Sequence, residues 1–442
     1  MRVLMVSNLY PPYYRGGYEL RCAEVASGLR RRGHELVVLT STFGLPSRPR
    51  RRARRRSERI SDVTVHRALG EYAYGSMPVL APWTLTRAWA ELTDARWFLR
   101  LLDQFRPDVV NWWSMNGLSK TLLPIPAARR IPDVHCIDDP WMVREFGPDG
   151  AVAAAFWSSL WDGRWGPPLA RPLLRRLGAR WESRVRRESI PTRQLPNRPR
   201  HVCFESRFLE DYYREAGFRF DSTEVIHGGI PVARFLAPGR IAGENSGPLR
   251  VLYAGQISRD RGLHTAVDAI GGLDSAVRSQ VTLTAVGDDT DDYAAEIRNS
   301  VVELGLGDRV HFRGMVRYED MPAVYREHDV LVFTSTRPEG LGFTVVEAML
   351  SGCGVLTTGS GGAMDVAIAA GLPMFPKGDA VALGRLLARL VSDRPYLREI
   401  AARGQLVAQR EFNADLMVDR LESMLLRIAS SGETRGSAKQ SG

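Results

Sequence analysis

Two carboxylates set the first chemical question. In "RPEGLGFTVVEAMLSGCGV" (337–355), Glu339 and Glu347 stand with seven residues between them, either side of a glycine-rich turn that runs into an apolar helical stretch. Glu339, in the turn, suits hydrogen bonds from sugar hydroxyls. The amides of Leu341, Gly342 and Phe343 can hold a phosphate or sugar oxygen at a helix start. Glu347 falls inside the helix, where a carboxylate is costly to bury unless something donates to it. Vicinal ribose hydroxyls would do so, whereas an exposed helix position would need no such partner.

A second stretch, "VLYAGQISRDRGLHTAVDAI" (251–270), ends a strand in Gly255 and carries Gln256, Arg259 and Arg261 before Gly262 opens a helix. Guanidinium groups beside a helix start suit a diphosphate, because bidentate hydrogen bonds and the helix dipole act together. A third, "YPPYYRGGYE", places Gly16 and Gly17 ahead of a helix, where backbone N–H groups can approach an anion; a plain tight turn explains the pair equally well. Neither Gly-x-Gly-x-x-Gly nor a P-loop occurs, which argues against NAD and ATP-hydrolysis readings. "GDDTDDY" (287–293) reads as a solvated loop, not a metal motif.

These loops need elements to position them. "RVLMVSNL" and "VVLTS" (37–41) read as strands around a helix over "YELRCAEVASGLRRRGH", closed by Gly33. Further strands are predicted at "DVVNWW" (108–113) and "DVHCID" (133–138). The rhythm restarts at "HVCFES" (201–206), "TEVIHGG" (223–229), "RVLYAGQI" (250–257), "VTLTAVG" (281–287), "RVHFRGMV" (309–316) and "VLVFTST" (330–336). Strand–helix alternation implies parallel sheets covered by helices, so the expected fold is α/β with two doubly wound domains in tandem. Ligands of such sheets sit beyond the carboxyl ends of the strands. The length of 442 residues also favours two domains of about 200 residues each.

No apolar run reaches the roughly 18 to 20 residues of a membrane helix, and the first residues are too short in their apolar part for a secretory signal. Cys22, Cys136, Cys203 and Cys353 lack paired spacing, which favours buried reduced thiols and a cytosolic protein. The formal charge of +10 is concentrated in "RPRRRARRRSER" (48–59), with eight arginines, expected as part of a flexible basic loop over 45–59. A solvated loop, an anionic membrane and nucleic acid are all chemically compatible with it. An insert at 150–200 mixes tryptophans with arginines, and reads either as helices packed on the first domain or as an amphipathic segment on a membrane surface. Beyond residue 430 a polar tail (431–442) is expected to be disordered.

Taken together, "EGLGFTVVE" followed by "AMLSGCGVLTT", the N-terminal "VLMVSNLYPPYYRGGYELRCAEVASGLRRRGHELVVLT", "EVIHGGIPVARF" (224–235), "YAGQISRDRGLHTAVDA" and "VRYEDMPAVYREHDVLVFTST" closely resemble the retaining glycosyltransferases of family 4 over nearly the whole chain. The resemblance implies the GT-B fold, two Rossmann-like domains facing across a cleft. It implies an acceptor-side domain at 1–200, a nucleotide-sugar domain at 201–412 and a C-terminal helix at 413–430 packing back toward the first domain. It implies transfer of a hexose from a UDP- or GDP-sugar to an acceptor hydroxyl, with neither metal nor other cofactor required and no nucleic-acid partner. The basic loop and the tryptophan–arginine insert, apart from the resemblance, add the expectation of a saccharide or lipid-linked acceptor and of a cytoplasmic location, peripheral on the inner membrane face.

By the same resemblance, Glu347 binds the donor ribose and Glu339 contacts the transferred sugar, with the amides of Gly340 to Phe343 near that sugar and the phosphates. Arg261 takes the place of a lysine on the diphosphate, and backbone at Gly314, Met315 and Val316 meets the nucleobase. Gly16, Gly17 and Asp139 lie on the acceptor side. Three positions depart from the family pattern. Gln256 stands for an arginine, with Arg259 a candidate substitute. Asp138 stands for the histidine that leans on the donor sugar, and is carried as a catalytic candidate with Glu339 and Arg261. Gly228 stands for an asparagine. An epimerase on the same architecture and a non-catalytic binder of anionic surfaces are the competing expectations.

Overall fold

The computed structural model describes residues 1–45, 56–71, 81–145, 151–164, 167–190, 192, 198–237, 239–242 and 247–437. The chain divides into two compact units. The first comprises Met1–Phe204, Glu210–Ile226 and the C-terminal segment from Val418; the second comprises Glu205–Leu209 and His227–Met417.

The first unit is built on an eight-stranded sheet. Its strands are β1 (Arg2–Val6), β2 (Glu35–Ser41), β3 (Arg56–Ile60), β4 (Val63–Leu69), β5 (Val109–Trp112), β6 (Asp133–Ile137), β7 (His201–Phe204) and β8 (Ser222–Val225), in the order β3-β4-β2-β1-β5-β6-β7-β8. All neighbours are parallel except β3 and β4. Val3, Leu4, Met5 and Val6 are fully buried, as a central strand covered on both faces requires.

The second unit holds a five-stranded parallel sheet of β9 (Leu249–Ala254), β10 (Val281–Val286), β11 (Val310–Gly314), β12 (Val330–Phe333) and β13 (Gly354–Thr357), ordered β11-β10-β9-β12-β13. Connectivity runs outward from β9 in one direction and resumes at β12 in the other. The order therefore reverses between β9 and β12, and the carboxyl ends of those two strands flank the topological switch point where open α/β sheets bind ligands.

Three features differ from the sequence reading. Strands β7 and β8, expected to open the second sheet, extend the first: Cys136 pairs in register with Cys203, and Cys203 with Glu224. The units accordingly divide near 205–227 and not at 200/201. The end of the basic run, expected to be a loop, forms β3. It pairs antiparallel with β4 through a turn at Ser61 and Asp62, both with positive φ (46° and 62°), the geometry of a two-residue hairpin turn. Residues 46–55, the rest of that run, lie outside the described residues. The C-terminal helix runs from Ala414 to Ser437, seven residues into the stretch expected to be disordered; 438–442 lie outside the description.

That helix packs on the helix Gly17–Arg31. A Cβ on Gly28 would lie 2.7 Å from Val418, and Glu422 receives Arg32 (2.7 Å) and His34 (2.5 Å). In the insert, the helices Ala151–Trp161 and Arg171–Arg187 turn their tryptophans inward. Trp157 and Trp161 stack at 5.2 Å, and their indole N–H groups donate to Thr121 and Thr192. All four cysteines are buried and free. Among the described residues no helix is long and apolar enough to cross a membrane.

Candidate active site

The loops after β9 and β12 are tied together. Thr334 Oγ1 donates to the carbonyl of Arg261 (2.9 Å), and the amides of Thr336 and Arg337 donate to the carbonyl of Asp260 (2.9 and 3.2 Å). Gly262 makes this approach possible. Its φ is 74°, and a Cβ there would fall 2.4 Å from the Thr334 carbonyl oxygen, so no other residue fits without moving backbone. The two strand ends at the switch point thus present one continuous surface.

On that surface Arg261 and Glu339 form a salt bridge, and Ser335 Oγ donates to the same carboxylate oxygen at 3.0 Å. Both side chains keep part of their surface exposed, 25% for Arg261 and 14% for Glu339. The turn that follows is pinned from behind: the Gly362 amide donates to the carbonyl of Glu339 at 2.8 Å. Gly342, with φ 82°, then opens the helix Phe343–Leu350. Among the described residues the amides of Gly340, Leu341 and Gly342 have no hydrogen-bond acceptor; Gly342 is the N-cap of the helix and the other two lie in the turn ahead of it. The side chain of Leu341 is buried and anchors the turn.

Glu347 lies at the start of the second turn of that helix and is only 5% exposed. The Tyr325 hydroxyl donates to its Oε2 at 2.7 Å, and Tyr318 lies near enough to favour the charged carboxylate as well. Burial pushes its pKa from 4.5 up to about 7, against the opposing pull of the tyrosine hydrogen bonds and of Arg234. Neither tyrosine was singled out from the sequence, although both lie in "VRYEDMPAVYREHD"; nothing local marks a tyrosine as a carboxylate partner.

The sign of the resulting pH dependence follows directly. The folded value exceeds the unfolded one, so the stability associated with the protonated carboxyl is fully present below about 4.5 and is lost as pH rises through about 7. Glu347→Gln removes that cost. We expect the variant to match the wild type below about pH 4.5, to gain stability over it as pH rises from there to about 7, and to hold a constant advantage above, about 3 kcal/mol at most. Urea unfolding at acid and at neutral pH measures the difference.

The remaining positions fall into two groups. Gly255 and Gln256 begin the loop after β9, and Gln256 contributes its carbonyl to the Tyr253 hydroxyl (2.8 Å). Gly314 ends β11, its carbonyl accepting from the Gly287 amide at 3.1 Å, with Met315 strongly exposed beside it and Val316 packed on the core. Gly228 is closed in on both sides: a Cβ would lie 2.7 Å from Glu205 Oε1 and from the Phe343 ring. Close packing therefore accounts for glycine at that position.

Elsewhere the structure corrects the sequence reading. Arg259 does not join Arg261; it pairs with Glu296 and lies 5.2 Å from the centre of the Tyr293 ring. Asp138 is buried in the first unit, where one carboxylate oxygen pairs with Arg21, and burial lifts its pKa above the usual carboxylate value. Asp139 is occupied by Arg144 (2.8 Å) and the Trp141 amide (3.2 Å). Gly16 precedes the helix that begins at Gly17, but Glu19 of the same helix accepts from the Gly16 amide at 2.9 Å and from Arg15 at 3.4 Å. That helix start is capped by its own carboxylate, which leaves the Gly16 amide no role in holding an external anion. In "GDDTDDY", Asp289 pairs with Arg298, Asp288 accepts from Thr290, and Asp291 caps the next helix.

A parallel five-stranded sheet with a cation, a carboxylate and open amides at its switch point defines a doubly wound α/β protein. Comparison with known proteins specifies the family. Residues 15–234 match the model of Glycosyltransferase Family 4, and residues 240–407 match that of Glycosyl transferases group 1. The chain belongs to this glycosyltransferase family and has the GT-B fold.

Among relatives, the chain is 35% identical over 162 residues to the 2-deoxystreptamine glucosyltransferase of Streptomyces kanamyceticus, which covers 36% of this chain and 40% of that protein. It is 22% identical over 408 residues to the uncharacterized glycosyltransferase MJ1607 of Methanocaldococcus jannaschii, covering 89% and 90%. Among solved structures, Anabaena Alr3699/HepE in complex with UDP superposes with a TM-score of 0.64 at 20% identity, covering 97% of this chain and all of that one.

Proposed function

We propose that the chain transfers a hexose from a nucleoside-diphosphate sugar to an acceptor hydroxyl with retention of anomeric configuration. The observation that carries this reading is the grouping, at one switch point, of the Arg261–Glu339 pair, the open amides of Gly340 to Gly342 and the buried Glu347. Glu347 accepts hydrogen bonds from the ribose hydroxyls, prepositioned by Tyr325. Arg261 and the turn amides meet the charge on the diphosphate. Glu339 orients the Arg261 guanidinium and accepts hydrogen bonds from hydroxyls of the sugar.

In the reaction the bond between the anomeric carbon and the diphosphate oxygen breaks, and a bond from that carbon to the acceptor oxygen forms on the same face. The acceptor proton passes to the departing phosphate. Positive charge held in place before the bond breaks lowers the barrier, because it costs no reorganisation at the moment of reaction. The nucleotide sugar is a substrate here and no cofactor is invoked. UDP bound in a protein of the same fold supports a UDP-sugar as the first donor to try. A saccharide or lipid-linked acceptor of the cell envelope completes the reading.

A thermal-shift screen of UDP- and GDP-sugars, followed by mass spectrometry of products with saccharide and lipid acceptors, tests it. A donor-dependent stabilisation with a glycosylated product is expected. An isomerised sugar nucleotide formed without acceptor would instead identify an epimerase.

A further inference from the structure

We propose that the outward face of the helix Arg171–Arg187, with Leu169 at its foot, docks on an anionic lipid bilayer. The helix carries seven arginines against a single acid, Glu182. Its inner side is fixed: a Cβ on Gly178 would lie 2.5 Å from the Trp161 carbonyl oxygen, Val185 is buried, and Trp181 meets Trp161 edge-on at 5.4 Å. Its outer side exposes leucine at every fourth position, 99% at Leu169, 62% at Leu173 and 51% at Leu177. Residues four apart share a helix face, so these leucines form a stripe. Arg176, Arg180 and Arg184 repeat at the same interval. At 3.6 residues per turn, these three and Leu173 and Leu177 fall within an arc of roughly 100°. Among the described residues neither Arg176 nor Arg180 forms an ion pair.

Single exposed leucines are ordinary on protein surfaces; a leucine stripe interleaved with free arginines is not. The combination suits the boundary between lipid headgroups and acyl chains. There the leucines enter the apolar layer while arginine stems lie along it and their guanidinium groups reach the phosphates. Nucleic acid would use the arginines but gain nothing from the leucines. A second copy of the chain would set two arginine-rich faces against each other across a symmetric interface. The net charge of +10 favours the same anionic partner.

Flotation of the whole protein at physiological salt, with vesicles of phosphatidylglycerol and phosphatidylcholine in equal parts or of phosphatidylcholine alone, tests the assignment. The wild type is expected to float with the anionic vesicles only. Leu173→Ser with Leu177→Ser should lower the vesicle affinity roughly tenfold, and Arg176→Gln with Arg180→Gln by about the same factor. All four positions are surface ones, so both variants should keep the wild-type Tm. Equal flotation with both kinds of vesicle would overturn the proposal, as would wild-type flotation by both variants. Binding to single-stranded RNA that survives the leucine substitutions, without flotation, would identify nucleic acid as the partner and overturn it too. No donor or acceptor enters this measurement, so it can fail while glycosyl transfer stands, and the reverse.

Discussion

Arg261→Ala should reduce kcat by a factor of roughly 10² to 10³ at saturating nucleotide sugar, the cost of removing one preorganised charge stabiliser. Arg261 is the cation that the switch point sets against Glu339 in the open turn, while Arg259 faces Glu296, Arg337 faces Asp260 and Gln256 carries no charge. Its carbonyl is held by Thr334 and its guanidinium by Glu339, so the charge is in place before the donor arrives. Removing it also leaves Glu339 without its counter-ion and places a second negative charge near the departing diphosphate. Lysine should recover part of the rate, because it restores the charge without the planar fork. Circular dichroism and Tm establish that each variant is folded. A kcat within about threefold of the wild type for Arg261→Ala would remove leaving-group stabilisation from the proposed mechanism.

Glu347→Ala should weaken nucleotide-sugar binding by about a hundredfold, measured as Kd by calorimetry. Hydrogen bonds to a charged group contribute about 1.5 to 3 kcal/mol each, and a ribose offers two hydroxyls. Glu347→Gln keeps the shape and an acceptor for the Tyr325 hydroxyl, so its loss should be smaller, about tenfold. The glutamine variant should bind donor less well while being more stable than the wild type above neutral pH. That opposition separates a binding role from a structural one. A carboxylate kept only for packing would lose stability on substitution and leave the donor affinity unchanged.

How much of this was legible in the sequence depends on range. Arg261 and Glu339 were both marked by their loops, one beside a helix-opening glycine and one in a glycine-rich turn after a strand. Their meeting needed only that β9 and β12 be neighbours, which is the ordinary consequence of a doubly wound sheet. Tyr325 was not legible, because its hydroxyl finds Glu347 through the packing of two helices. Arg259 and Arg261 look equivalent in "RDR", yet one points to Glu296 and the other to Glu339. Gly16 was misread for a related reason: a backbone amide ahead of a helix reads as open until its internal partner, here Glu19, is known.

Local patterning alone therefore determined the alternation of strands and helices, the two parallel sheets, the helix starts at Gly262 and Gly342 and the glutamate pair across the turn. Each depends on periodicity and backbone chemistry over a few residues. Tertiary structure alone decided that β7 and β8 join the first sheet and that β3 and β4 close as a hairpin at its edge. It also decided which arginine faces which acid. Strand register and side-chain partners are chosen among residues far apart in the chain, by complementary packing and charge that no short stretch contains.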